Sequence, residues 1–339
     1  MDTNQTYDSL GPGFEPESEK KGKKIPGWIL LFLIAALILT AFSMIRFPKV
    51  FQEYQIYREA KQRMENGETS TALGKLLEVV EQHPNSVPVI TEFIDRSMEA
   101  GYYDAAAYVM DEYLAGKNLS DKGYAQMMEY YDFLERYYLT YDTVESLLSE
   151  LEENTVNSSE EEMTAQVEAC KEKLQQLLEN PELDSSFIMY YLALFSEDRN
   201  DYYSWLKQCY ELNPELFDTR VLLGNAARRL GKLEEAREYL DAALAKDKED
   251  HAAWRGLAVL SLLEGDSTKG LELAKQAYDL YPDGTYVRDT CIIALCENGK
   301  TEEADAMSAE LEEIQGFLGE DLQAYLDGTC TLQDYYMGD

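Results

Sequence analysis

The polarity pattern changes character near residue 50. From Ile25 to Ile45 run 21 residues without a charge, dense in Leu, Ile, Ala and Phe. At a rise of about 1.5 Å per residue, a helix of that length crosses a hydrocarbon layer of roughly 30 Å. Pro26 stands at the helix start, where a missing N–H costs nothing, and Trp28 falls at the depth where an amphipathic ring is comfortable. Because every face of the run is apolar, the pattern predicts a transmembrane helix over 25–45 rather than an amphipathic helix of a soluble core. A cleaved signal peptide is the competing reading, since Ala41-Phe42-Ser43 offers small residues for processing after Ser43. Against cleavage, the run exceeds an apolar signal region of about 7–15 residues, and no Cys follows it to carry a lipid. An uncleaved signal-anchor is therefore expected.

The flanks set its direction. Lys20, Lys21, Lys23 and Lys24 crowd one side, whereas Arg46 and Lys49 hold the other. The denser basic cluster predicts a cytoplasmic N-terminus and an extracytoplasmic C-terminal domain of a single-pass membrane protein. Residues 1–24 have no apolar periodicity and are rich in Gly, Pro, Ser and Glu before the lysines. They read as a disordered, basic-ended tail.

Beyond residue 51 the apolar positions take helical spacing, and the strongest order is a 34-residue period. Gly231, Gly265 and Gly299 are each 34 apart, and each separates two helical segments. Leu223, Leu257 and Cys291 keep the period in the preceding helix, as do Ala243 and Ala277 in the following one. Trp254 takes a large-residue position and Pro282 closes its unit. These residues resemble the tetratricopeptide repeat, with its W-x2-L-G-x2-Y pattern, turn glycine, A-x3-F and closing proline. The first unit supplies Leu223, Gly224, Ala227, Gly231, Ala236, Leu240 and Ala243. The second supplies Trp254, Leu257, Ala258, Gly265, Ala277 and Pro282, with Gly270 where alanine is usual. The third, more degenerate, supplies Cys291, Gly299 and Ala304. The resemblance implies an all-α, right-handed superhelical solenoid of antiparallel helix pairs, preceded here by the one transmembrane helix. Glycine permits the tight turn, small residues let helices approach, and each pair leaves an apolar side that only stacking can cover.

The same spacing recurs after the anchor. Gly67 and Ala72 are followed 34 residues later by Gly101 and Ala106, predicting two repeats over 51–120. Residues 121–216 read as degenerate helical repeats. Candidate helices there include GYAQMMEYYDFLERYY, TVESLLSELEEN and a pair ending at Pro214 with Tyr202, Leu206 and Cys209 on the seam. TVNSSEEE, 155–162, is a polar break with Ser159 or Ser158 available as a helix cap. Three repeats over 217–318 and a capping segment or tail over 319–339 complete the expected organisation.

Charge narrows the partners. The chain has 30 basic and 65 acidic residues, and the part beyond residue 50 holds 24 and 60 of them, a net −36. Such a surface repels nucleic acid and favours a basic partner, although solubility alone accounts for it. Five cysteines without a CxxC suggest packed thiols, and His83 and His251 belong to no metal or catalytic spacing. GKLEEA and GKTEEA lack the strand and upstream glycines of a phosphate loop. No cofactor, metal site or catalytic residue is therefore expected, and the chain reads as a non-enzyme.

The resemblance implies protein or peptide binding along the first helices of the pairs. On that surface Asn225, Arg228 and Arg229 are the candidate ligand-facing residues, a cationic feature within an acidic domain. The family's carboxylate clamp has no further match, because Gly256, Tyr286 and Thr290 stand where its other basic or amide groups belong. The expected function is a membrane-tethered interaction scaffold or adaptor. Its alternative is an envelope polysaccharide- or peptide-binding module that uses exposed members of the 25 tyrosines, many of them in adjacent pairs.

Overall fold

The computed structural model describes residues 27–156 and 158–338. The expected tail over 1–24, with its lysines, and the first two positions of the apolar run lie outside the described residues. Two compact units divide between Gln52 and Glu53. Helix α1, Gly27–Asn66, takes in the described part of the apolar run and, later, the expected first helix of the first repeat. In the first unit Trp28, Leu31, Phe32, Leu37, Ile38, Leu39 and Phe42 are exposed. Among the described residues no helix is long and apolar enough to cross a membrane; the side chains at 30, 33 and 43–49 are outside those described.

The second unit is an all-helical, tetratricopeptide-like solenoid, without strands among the described residues. The end of α1 pairs with α2, Thr69–Gln82, and α3, Val87–Glu99, pairs with α4, Tyr103–Val109, which runs on as a π turn to Leu114. Two helices were expected between residues 123 and 154. A single helix, α5 Asp121–Thr155, takes their place, because nothing between Tyr138 and Thr143 breaks it. Ser159 caps α6, Glu160–Leu177, in a reciprocal box with Glu162, so both supply oxygens to otherwise orphan amides. Then come α7, Ser185–Leu194, and α8, Arg199–Leu212, each opened by an aspartate cap, Asp184 and Asp198. On α8 Tyr203 is buried with Leu206 and Cys209, while Tyr202 is only partly covered, one position from the expected seam.

Three regular pairs follow: α9, Thr219–Arg229, with α10, Leu233–Lys246; α11, His251–Leu263, with α12, Ser267–Leu280; and α13, Thr285–Glu297, with α14, Thr301–Gln315. Gly231, Gly265 and Gly299 take φ of 75°, 85° and 68° between the helices of their pairs. Leu223, Ala236, Ala243, Leu257, Ala277 and Ala304 are buried in the seams, and Trp254 anchors its ring by donating Nε1–H to Lys248 O at 2.8 Å. Pro282 ends the pair, and its carbonyl accepts from Arg288 Nε. Leu240 fills the space above two glycines: a Cβ on Gly224 would come within 2.6 Å of its Cγ, and one on Gly256 within 2.7 Å of its Cδ2. Gly270 replaces the usual alanine for the same reason, since Leu262 packs 2.6 Å from where its Cβ would stand.

The solenoid turns far enough for distant repeats to touch. Helix α2 has no side-chain cap of its own at Glu68. Its first amides are instead satisfied by carboxylates more than 170 residues away: Thr69 and Ser70 donate to Asp247 at 3.2 and 3.3 Å, and Thr71 to Glu249 at 3.0 Å. Lys248 N donates to Gly67 O at 2.8 Å, and Thr69 Oγ1 to Lys246 O at 2.6 Å. Alongside, Gly101 approaches Glu215 so closely that a Cβ would lie 2.2 Å from its carbonyl oxygen. Gly67 and Gly101, with φ of 81° and 76°, thus serve as turn residues, and Gly101 is a close-approach point as well.

Candidate functional site: an arginine groove

The chain closes with α15, Glu320–Leu326, and α16, Leu332–Met337. Leu322 and Tyr336 are buried in the same hydrophobic core as the last three pairs. Tyr325 fixes α15 by donating to Glu297 at 2.5 Å, and Gly328, at φ 72°, turns the chain towards α16. Thr331 and Asp334 cap α16 reciprocally. This short helix lies against α9 and α11, the first helices of successive pairs, and Tyr335 donates to Asp289 of α13 at 3.1 Å.

Arginines receive its end. Arg228 Nη1 donates to Tyr336 O, and its guanidinium stands 5.9 Å from the Tyr336 ring centroid. Arg199, at the start of α8, donates to Met337 O at 3.2 Å and to Gly338 O at 2.8 Å. On α11, Arg255 Nε donates to Tyr286 O at 2.9 Å and to Thr290 Oγ1 at 3.0 Å, so its charge stays beside Tyr336.

Of the sequence-predicted ligand-facing residues, Arg228 is 5% exposed, Arg229 is exposed and Asn225, one turn earlier, is half-buried. Burial first, then the charges of Arg229, Arg255 and Arg199, push the Arg228 guanidinium down to about 10. Its Nε is buried without a hydrogen-bond partner. Burial likewise pushes the Tyr336 hydroxyl up to about 12 and raises the Asp289 carboxyl, against the opposing pull of Tyr335 and Arg255. In a chain of net −35, four arginines crowd together, and the buried one, Arg228, donates to a main-chain carbonyl. A neighbouring cavity opens past Arg199, Arg229, Tyr202 and Ser196.

Sequence reasoning missed Arg199 and Arg255 as part of this site, and it did not link the capping segment expected over 319–339 to these arginines. The signal available was the rarity of arginine in so acidic a chain together with aromatic residues near its end. Elsewhere the other candidates are structural. His83 pairs with Glu53 at 3.1 Å, and the His251 ring lies 4.6 Å from that of Tyr281. Cys170, Cys209 and Cys291 are buried thiols, and burial pushes Cys209 up to about 12. Among the described residues no group of three or more His, Cys, Asp or Glu is placed to hold a metal ion.

The tyrosines divide as adjacent helical positions must. Tyr103, Tyr203 and Tyr336 pack inside while Tyr102, Tyr202 and Tyr335 are more exposed. Several donate to a carboxylate about one repeat away: Tyr57 to Glu92 at 2.6 Å, Tyr138 to Asp104 at 2.7 Å and Tyr190 to Asp218 at 3.2 Å. Tyr203 bonds Glu235, which with help from Lys232 and Lys207 holds that carboxyl below its ordinary value.

Residues 221–285, from α9 into the start of α13, match the tetratricopeptide repeat family. No curated protein matches the chain in sequence. Among solved structures, a tetratricopeptide repeat protein from Parabacteroides merdae is similar at 13% identity and a TM-score of 0.40, over 81% of this chain and 97% of that one. PilW, a type IV pilus biogenesis factor, is similar at 12% identity and 0.38, over 81% and 98%. YrrB is similar at 16% identity and 0.35, over 62% and 95%. No function transfers at these scores.

Proposed function

We propose that this protein is a membrane-tethered interaction scaffold whose arginine groove holds a peptide segment of a protein partner. One observation carries the reading: the groove already holds a peptide, and Arg228 and Arg199 grip it through main-chain carbonyls of residues 336–338. Main-chain recognition by fixed guanidinium forks suits a partner segment laid along a repeat surface. The wider acidic surface favours basic regions of a partner, whereas the groove itself is cationic.

Tethering rests on the full sequence of the run Ile25–Ile45 and on the exposed apolar residues between Trp28 and Phe42. Water penalises that much exposed apolar surface, and a bilayer relieves the penalty. The four lysines before the run favour a cytoplasmic N-terminus and a solenoid outside the cytoplasmic membrane. A tether also raises the effective concentration of partners confined to the same surface.

Protease protection on intact cells tests the topology, with one tag before Lys20 and another after Asp339. The reading expects loss of the C-terminal tag alone and a full-length chain in untreated membranes. Loss of the N-terminal tag alone inverts the topology. A shortened, released chain removes the tether altogether.

A further inference from the structure

The end of α8 carries an amide that the fold leaves half used. Asn213 caps that helix, and its Oδ1 accepts from the buried Tyr103 hydroxyl and from Glu215 N, each at 3.1 Å. Its Nδ2 is buried without a hydrogen-bond partner, a cost to folding unless an acceptor comes from outside the chain. With Oδ1 spent on two donors, Nδ2 is the prong left for a ligand.

Asn213 lines a cavity of about 530 Å³ between α5, the turn from α6 to α7 and the end of α8. That volume is in the range of ligand sites. Leu178, Leu183 and Leu212 give it an aliphatic wall. Arg136, exposed on α5, adds a second donor, and its guanidinium makes no ion pair or hydrogen bond among the described residues. Glu179 and Asp184 supply acceptors. Asp184 uses Oδ1 to hold the start of α7, accepting from Ser186 N at 2.9 Å and Ser186 Oγ at 2.5 Å, and Oδ2 takes neither of these bonds.

This lining selects by charge. An anion would meet Arg136 but also Glu179 and Asp184. A cation would meet those carboxylates but also Arg136 and the Asn213 N–H. A neutral carboxamide suits all four groups, because its oxygen accepts from Nδ2 and the guanidinium while its NH2 donates to a carboxylate. A sugar ring finds less, since the wall is aliphatic and the one aromatic ring, Phe133, already meets Tyr103 and Tyr137 at 4.9 and 6.4 Å between centroids.

We propose that this cavity is a second docking point for a protein partner, taking a glutamine or asparagine side chain from an otherwise apolar segment. Arg199 and Asn213 flank the two ends of α8, about 20 Å apart along its axis, so the site is separate from the arginine groove. The inference shares the scaffold reading's class of partner and not its site.

The test uses the isotope-labelled full chain in detergent, followed by NMR. The probes are a matched set of peptides, acetyl-Leu-Gln-Leu-amide and its relatives with Glu, Lys or Leu at the centre. The Asn213 side-chain amide signals are identified by their loss in Asn213→Asp. The glutamine peptide is expected to shift those signals and to bind at least tenfold more tightly than the other three. Asn213→Asp keeps the acceptor that Tyr103 and Glu215 need while removing the donor, and it should weaken the glutamine peptide by about tenfold, the size of one hydrogen bond. Arg136→Gln, at an exposed position that folding does not depend on, should weaken it severalfold. Equal binding of all the peptides, or Asn213 signals that none of them moves, would overturn the inference and leave a buried water as the partner of Nδ2. Preference for the Glu or Lys peptide would overturn it too. So would movement of the signals by chitotriose alone, which would make the cavity a glycan site. Crosslinking from Asn225 reads the arginine groove alone, so failure here and failure of the scaffold reading are separable.

Discussion

At the scale of single residues, two chemistries explain an unusual composition. Tyrosine hydroxyls act as donors to carboxylates across repeat boundaries, which lets an acidic chain satisfy its acids without matching them with lysine. Missing side chains matter as much. Gly224 and Gly256 leave the hole that Leu240 fills, so the three positions form one packing unit. Gly224→Ala alone should cost about 1–3 kcal/mol by overpacking, and Leu240→Ala alone about 2–5 kcal/mol by opening a cavity. The double variant should cost less than the sum of the two, because the added methyl enters the space Leu240 leaves. Urea melts of the four proteins measure the coupling; strict additivity would mean that Leu240 does not pack on Gly224.

At the scale of elements, the 34-residue order was legible because its markers are local. A turn glycine, small seam residues and a closing proline act within one helix pair, and a sequence displays them directly. Ser159 was readable for the same reason, a cap being a short-range contact. What escaped reading either lacks a local marker or depends on residues far apart in the chain. The continuity of α5 has no breaker to reveal it, and the burial of Tyr203 in place of Tyr202 depends on how α8 rotates against its neighbours. The start of α2 is clearer still, since its capping groups Asp247 and Glu249 come from another repeat. Replacing both with alanine should lower stability by about 1–3 kcal/mol and speed hydrogen exchange at amides 69–71. Burial raises the Glu249 carboxyl, but its bonds from Thr71 and Ser70 outweigh this and hold it below the ordinary glutamate value. A depressed carboxylate stabilises fully above its unfolded value and loses that contribution as pH falls through the folded one. The Glu249→Ala variant should therefore lose less stability on acidification than the unsubstituted chain; an unchanged acid limb would contradict the cap.

At the scale of the whole molecule, the arginine groove is where sequence and structure differ most usefully. Arg228 and Arg229 could be singled out as cations in an acidic domain, yet no local signal relates them to the tail more than 100 positions later. Folding brings Arg199, Arg228, Arg255, Asp289 and Tyr336 together from four different repeats and the closing segment. The start of α2 meets the 246–250 turn through hydrogen bonds that join repeats far apart in the chain. The functional account thus depends on one surface and one tether. The most direct test is site-specific photocrosslinking in intact membranes, with benzoylphenylalanine replacing Asn225 beside the groove or Glu238, exposed on α10, as the control. The account predicts a discrete protein adduct from position 225 and none from position 238. Identical adducts from both positions, or none from either, would contradict it.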